Sequence, residues 1–180
     1  MLHRGGWLVV VLVAAAGCGS SYRTVRQSAG DSGALRAARA IAVAPIEFRV
    51  PPPESPEEWA GHLAAWNAAY GEELVRQAGA GGPPVQLLGP GEPAPGGVVV
   101  VAVVSDIRRG NYMSGDHLVV DVDLLDAASR APHLRATLDV SSFRATGGPE
   151  GYTFGGRIKF AVRNLAEAIA GALRSGTFQR

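Results

Sequence analysis

The sequence predicts an α+β domain, a two-layer sandwich in which two amphipathic helices cover one face of a mixed, mostly antiparallel sheet. Three observations carry that prediction. Two segments repeat apolar residues at helical spacing, the run Val98 to Val104 is apolar at every position, and the runs 118–125 and 133–141 alternate apolar and polar across a short turn.

The elements follow in chain order. Ala40 to Arg49 is a short apolar run stopped by Pro51, Pro52 and Pro53, long enough for a strand and too short for a helix. Its apolar residues fall on both faces, so it belongs inside the sheet. Ser55-Pro56-Glu57-Glu58 supplies an N-cap, a proline in the first helical turn and a glutamate three residues after the cap, which together form a capping box. Trp59, Leu63, Trp66, Tyr70 and Leu74 then share one stripe of a helix that ends near Gly79. Gly79 to Pro84 breaks the chain, 85–88 reads as a short strand and 89–97 as a Pro/Gly turn region. The run 98–104 reads as a strand covered on both faces, in the middle of the sheet. In the next run Leu118, Val120, Val122 and Leu124 point one way and Asp121 and Asp123 the other. Leu134, Ala136, Leu138 and Val140 repeat the pattern after the turn 126–132, which makes a hairpin with one wet face. Ile158, Val162, Leu165, Ile169 and Leu173 form the second helical stripe, closed by Ser175-Gly176. Residues 40–176 therefore make a single domain without an internal repeat.

Composition limits the function. A chain of 180 residues with 47% hydrophobic and 18% charged residues is too apolar for disorder, and it lacks the ~20-residue apolar segment of a spanning helix. Basic and acidic residues number 17 and 16, which gives no electrostatic basis for nucleic-acid binding. A single cysteine excludes a disulfide framework and a multi-cysteine metal site within one chain.

That cysteine has a distinctive setting. Arg4 gives a positive start, Trp7 to Ala16 is an apolar run too short to span a bilayer, and Ala15-Ala16-Gly17-Cys18 follows at once. This resembles the bacterial lipobox, with Ala15 where that motif prefers Leu; the resemblance implies that Cys18 is acylated, incorporates palmitate and becomes the mature N-terminus. Residues 1–17 are then a signal peptide, and 18–39, small and polar after the cysteine, an acylated flexible tether. Gly19 stands where an Asp would imply retention at the inner membrane. The resemblance thus implies an outer-membrane anchor and a domain facing the periplasm.

Ile41-Ala42-Val43-Ala44-Pro45-Ile46, the helix after it, the apolar strand running into Asp106-Ile107-Arg108-Arg109-Gly110, the strand ending at Asp126-Ala127-Ala128-Ser129 and the Ala-rich last helix together resemble bacterial envelope lipoproteins related to the TolB N-terminal domain, LpoB and CsgG. Auxiliary lipoproteins of lipid-transporting ABC systems look similar at the same level. The resemblance implies a non-enzymatic accessory module that binds an envelope protein. Its alternatives are an auxiliary lipoprotein holding an apolar ligand, and an enzyme.

Candidate site residues are few. His117, Asp121 and Asp123 share one strand face and could offer a carboxylate pair or a metal site, but Arg135 lies within one pairing step, so ordinary cross-strand ion pairing accounts for them. Gly147 to Gly156 precedes a helix as phosphate-binding loops do, yet the P-loop pattern is absent and a mobile connection is the simpler reading. Within it Tyr152 and Phe154 either meet a partner or fold back onto the core. His62 lies off the helical stripe and reads as a surface residue. No catalytic set, cofactor or metal site emerges. The strands 40–49 and 98–104 are apolar on both faces while two helices can cover only one, so the tether, the loop 147–156, a second copy or a partner must cover the rest. Arg108, Arg109, Tyr112 and Met113 flank that strip and are residue types enriched in interface cores, so partner contact is expected there. Self-association is left open.

Overall fold

The structure, a computed structural model, describes residues 21–29, 31–52, 54–79, 81–110, 115–142 and 149–178. The signal segment, Cys18, Tyr112, Met113, Gly147 and Gly148 lie outside the described residues. The fold is α+β. Its strands are β1 (Tyr22–Ala29), β2 (Ile41–Val43), β3 (Glu47–Phe48), β4 (Val85–Leu87), β5 (Val98–Arg108), β6 (His117–Asp126) and β7 (Pro132–Ser141). Its helices are α1 (Ser32–Arg36), α2 (Pro56–Ala78) and α3 (Phe154–Ser175), with one 3₁₀ turn at Pro149–Tyr152. The strands form one mixed sheet in the order β1-β7-β6-β5-β2-β4, and β3 pairs β5 beyond the end of β2.

Both long helices start on the side chains the sequence offers. Ser55 and Glu58 complete the capping box of α2, and the Thr153 hydroxyl accepts the Gly156 N–H at the start of α3. At the other end of α3, Gly176 takes a left-handed φ of 81°, where a side chain would be strained. The predicted stripes face the sheet: Trp59, Trp66, Tyr70 and Leu74 of α2 and all five named residues of α3 are buried, while Leu63 is partly buried. They meet Val98, Val100, Ala102 and Val104 of β5 and the inward rows Leu118 to Leu124 and Leu134 to Val140 in one continuous core. Burial of this kind contributes roughly 25 cal/mol per Å² of apolar surface.

The run 40–49 is not one strand but two. Pro45 has no N–H to give to a ladder, and the chain leaves β5 between Ala44, whose N–H still donates to Val100, and Glu47. The Asn67 side chain on α2 accepts the freed Ile46 N–H at 2.7 Å, and Arg49 rejoins Val104 at 2.9 Å.

A bulge in β5 sets which residues face the core. Val104 is opposite Val120 and Asp106 opposite Val119, so Ser105 is the extra residue. Without it the period of two would turn Asp106 and Arg108 inward. With it Ile107 packs against the core, and both charged residues face outward with the aspartates of β6.

Two expectations are corrected. The stretch 22–36 is not tether: β1 pairs antiparallel with β7 from Tyr22 opposite Val140 to Ala29 opposite Leu134, and α1 buries Leu35. The domain also extends past residue 176, because Phe178 is buried. The outward apolar strip is covered in part by a segment not considered from the sequence. Since β2 lies between β4 and β5, the connection 88–97 must cross it, and Leu88 and Ala94 pack there with Ala42 and Val99. Gly97 ends that crossing with φ 75°, and a Cβ there would sit 2.2 Å from the Ala40 carbonyl oxygen, so only glycine fits.

Candidate functional site

The wet face of the sheet presents charges in rows, because β6 and β7 alternate and β1 lies beside them. Asp123 is directly opposite Arg135, and their side chains approach to 3.2 Å. Asp121 is opposite Thr137; the Thr137 hydroxyl donates to Asp121 at 2.6 Å and accepts from Arg26 at 2.7 Å, while the Arg26 guanidinium stands 3.5 Å from Asp121. His117 does not join them. Its Nδ1 lies 2.8 Å from Asp139, one diagonal step across the hairpin. Each candidate carboxylate is thus engaged by a cross-strand partner, and among the described residues no three His, Cys, Asp or Glu side chains are grouped as metal ligands would be.

Asp139 is the centre of a second cluster that the sequence did not reveal. Arg108 of β5 lies 2.8 Å away, His117 of β6 2.8 Å and Arg23 of β1 3.4 Å, so three strands supply basic side chains to one nearly buried carboxylate. Burial by itself raises its pKa, but the hydrogen bonds from His117 and Arg108 outweigh that effect and hold the carboxyl below the usual carboxylate range. A carboxyl whose pKa is depressed by folding stabilises fully above its unfolded value, near 4, and loses that contribution as pH falls through the lower folded value. Asp139→Asn should therefore be less stable than the parent at about pH 6. The gap should close as the pH is taken toward about 3, read by urea unfolding at each pH.

Behind the sheet, Asp116 is fully buried and accepts from Arg157 at 2.9 Å and from the Gly110 N–H at 2.9 Å, which ties the connection after β5 to the first turns of α3. Arg109 points to the helix side, where its guanidinium covers the Phe154 ring at 4.5 Å beside a cleft of about 230 Å³ bounded by Val50, Pro51 and Ile107. Arg108 and Arg109, expected to flank one surface together, are therefore on opposite sides of the sheet. Phe154 folds back onto the core, and Tyr152 remains 70% exposed. His62 is not simply a surface residue. It stacks on Trp66 at 5.3 Å, lies 3.2 Å from Glu54, and its ring occupies the space a Cβ on Gly155 would need. The signal for it was only its place three residues after Trp59 and four before Trp66.

An apolar-walled cleft of about 150 Å³ lies between Pro45, Tyr70 and Leu87. The Tyr70 hydroxyl is buried without a hydrogen-bond partner among the described residues, and burial pushes its phenol pKa up. No helix among the described residues is long and apolar enough to cross a membrane.

No protein-family model matches the chain, and no curated protein matches it. Among solved structures, the PelC dodecamer from Paraburkholderia phytofirmans shares 15% identity over 88% of this chain and 99% of that one, with a TM-score of 0.48. The hypothetical protein CT253 from Chlamydia trachomatis shares 15% over 74% and 97%, with a TM-score of 0.44. A putative neuraminyllactose-binding hemagglutinin homolog from Helicobacter pylori shares 8% over 76% and 83%, with a TM-score of 0.42. None of these three is a TolB, LpoB or CsgG protein.

Proposed function

We propose that the chain is a lipid-anchored lipoprotein facing the periplasm, at the outer membrane by the character of Gly19, and that it works as a non-enzymatic, protein-binding module of an envelope complex. The observation that carries the reading is the wet face of the sheet. Its carboxylates are neutralised by Arg26, Arg135 and the Arg23, Arg108 and His117 cluster, and they frame half-buried Val101 and Val103. An apolar strip inside a polar rim suits protein contact, whereas reactive chemistry needs groups converging on a substrate. The leader and Cys18 supply the anchor. A sheet open at both β1 and β4 also leaves room for edge-to-edge self-association.

The second reading, an apolar-ligand carrier, is favoured by the cleft at Tyr70. At about 150 Å³ that cleft is smaller than the ~300 Å³ at which ligand pockets usually begin.

Two variants test the proposal. Cys18→Ser should abolish palmitate incorporation, and labelling that persists unchanged would overturn the anchor. Asp121→Ala combined with Asp123→Ala should cost no more than about 1 kcal/mol for each exposed pair removed, and, because both carboxylates rim the proposed contact face, should weaken capture of partner proteins from detergent-solubilised envelope while the fold stays intact. Unchanged capture at normal folding would count against this face as the contact surface.

A further inference from the structure

If Cys18 carries acyl chains, the point where the fold begins fixes which part of the domain meets the membrane. Ser21 is three residues after Cys18, and its carbonyl accepts the Ser141 N–H at 2.8 Å. Three extended residues span at most about 11 Å, so the anchor holds Ser21 within that distance of the lipid. β1 cannot swing away from the domain, because it is paired with β7 along its length and its arginines reach Asp139 and Thr137.

The strand registers identify what lies beside Ser21. Tyr22 is opposite Val140, His117 opposite Ser141 and Arg108 opposite His117, so the start of β1, the end of β7, the start of β6 and the end of β5 form one edge of the sheet. The first turns of α3 are fastened to the same edge by Arg157 on Asp116 and by Asn164 on the Ser141 carbonyl. The turn between β6 and β7 is at the opposite end. The ten residues of β6 place it about 30 Å farther away at ~3.3 Å per residue.

We infer that, in the acylated protein, the end of the domain built from Ser21, Arg108, His117, Ser141 and the α3 start lies against the phospholipid headgroups. The inference rests on the lipid-anchor reading above. The chemistry of that end fits the headgroup layer. Tyr152 is exposed there, and an exposed tyrosine, apolar in its ring and polar at its tip, suits a membrane interface. Arg109 is in no ion pair among the described residues and stands over Phe154, available to phosphate oxygens. The acidic start of α2, with Glu54, Glu57 and Glu58, is at the same end, but α2 lies toward the β2 and β4 side of the sheet. β2 is four strands from β1 in the sheet order, about 19 Å at ~4.8 Å per strand. These carboxylates therefore tilt the β1 side toward the lipid.

Cys18 is the chain's single cysteine and is consumed by acylation, so one introduced cysteine gives a unique label. Acylated protein carrying Tyr152→Cys or Ser129→Cys would be labelled with a bimane fluorophore. It would then be reconstituted into vesicles of phosphatidylethanolamine and phosphatidylglycerol that bear a nitroxide on the headgroup. Quenching at 152 should exceed that at 129 several-fold, with thermal stability and flotation matching the parent. Equal quenching, or stronger quenching at 129, in protein that carries palmitate and floats with the vesicles would overturn the orientation alone. Failure of Cys18 to take palmitate would remove the anchor and the orientation together.

Discussion

Trp66→Ala is expected to lower the unfolding free energy by about 3–5 kcal/mol, the range for deleting a buried tryptophan. The ring is 1% exposed and joins three elements: it lies 5.2 Å from Phe48 after β2, 5.3 Å from Trp59 on its own helix and 6.2 Å from Phe154 on α3. Its indole N–H also donates to the Gly155 carbonyl at 2.9 Å, which joins α2 to the start of α3. Alanine would leave both a cavity and an unsatisfied contact. Since a domain of this size is held by only ~5–15 kcal/mol, the loss takes a large share of its stability. Trp66→Phe keeps most of the ring packing and should cost less, mainly the hydrogen bond at about 1 kcal/mol plus some volume. Urea unfolding followed by circular dichroism checks both. A cost below about 1 kcal/mol for the alanine would show that the aromatic cluster does not hold the helices.

Arg157→Ala should be nearly as severe, at about 3 kcal/mol or more, for an electrostatic reason. Asp116 has no exposed surface, and Arg157 is its ion-pair partner. Removing the guanidinium leaves a buried carboxylate whose remaining hydrogen bond among the described residues is from the Gly110 N–H. The double variant Asp116→Asn with Arg157→Ala should recover part of the loss, because a neutral amide oxygen can still accept from Gly110 and no charge is stranded. Unfolding measured at about pH 7 separates the cases. A double variant as unstable as the single one would mean that Arg157 acts by packing rather than by charge.

Much of the fold can be read from the residues because burial imposes a period. The Ser55–Glu58 box, the Trp59 to Leu74 stripe, the Ile158 to Leu173 stripe and the alternation of β6 and β7 all follow from one face being wet and the other dry. Val98 to Val104 of β5 are apolar at every position because the helices cover one side and the 88–97 connection part of the other. β1 gave no such signal. It is an edge strand, its register shifts between Thr24 and Arg26, and Arg23, Val25 and Arg26 are exposed, so no period of two survives. The site was legible only where partners are close in sequence. Asp123 and Arg135 sit across one hairpin and could be paired in advance. The Asp139 cluster needs the strand order and the Ser105 bulge to bring Arg23 and Arg108 alongside, and Asp116 meets Arg157 from 41 residues away.

The pairing of β1 with β7 has a consequence for the order of folding. Arg23 and Asp139 are 116 residues apart, so the first strand in the chain has no neighbour until nearly the whole domain has followed it. β1 is then the last strand able to dock, and because the rest of the sheet is already built, its docking closes only the short connection between β1 and β2. Until it docks, a chain held at Cys18 would trail on the 22 residues up to Ala40, a coil of roughly 26 Å end to end at about 5.5 Å times the square root of its length. Docking replaces that coil with the three residues before Ser21. Completion of the sheet would thus draw the domain down onto the bilayer, so that only a fully folded copy sits close to it.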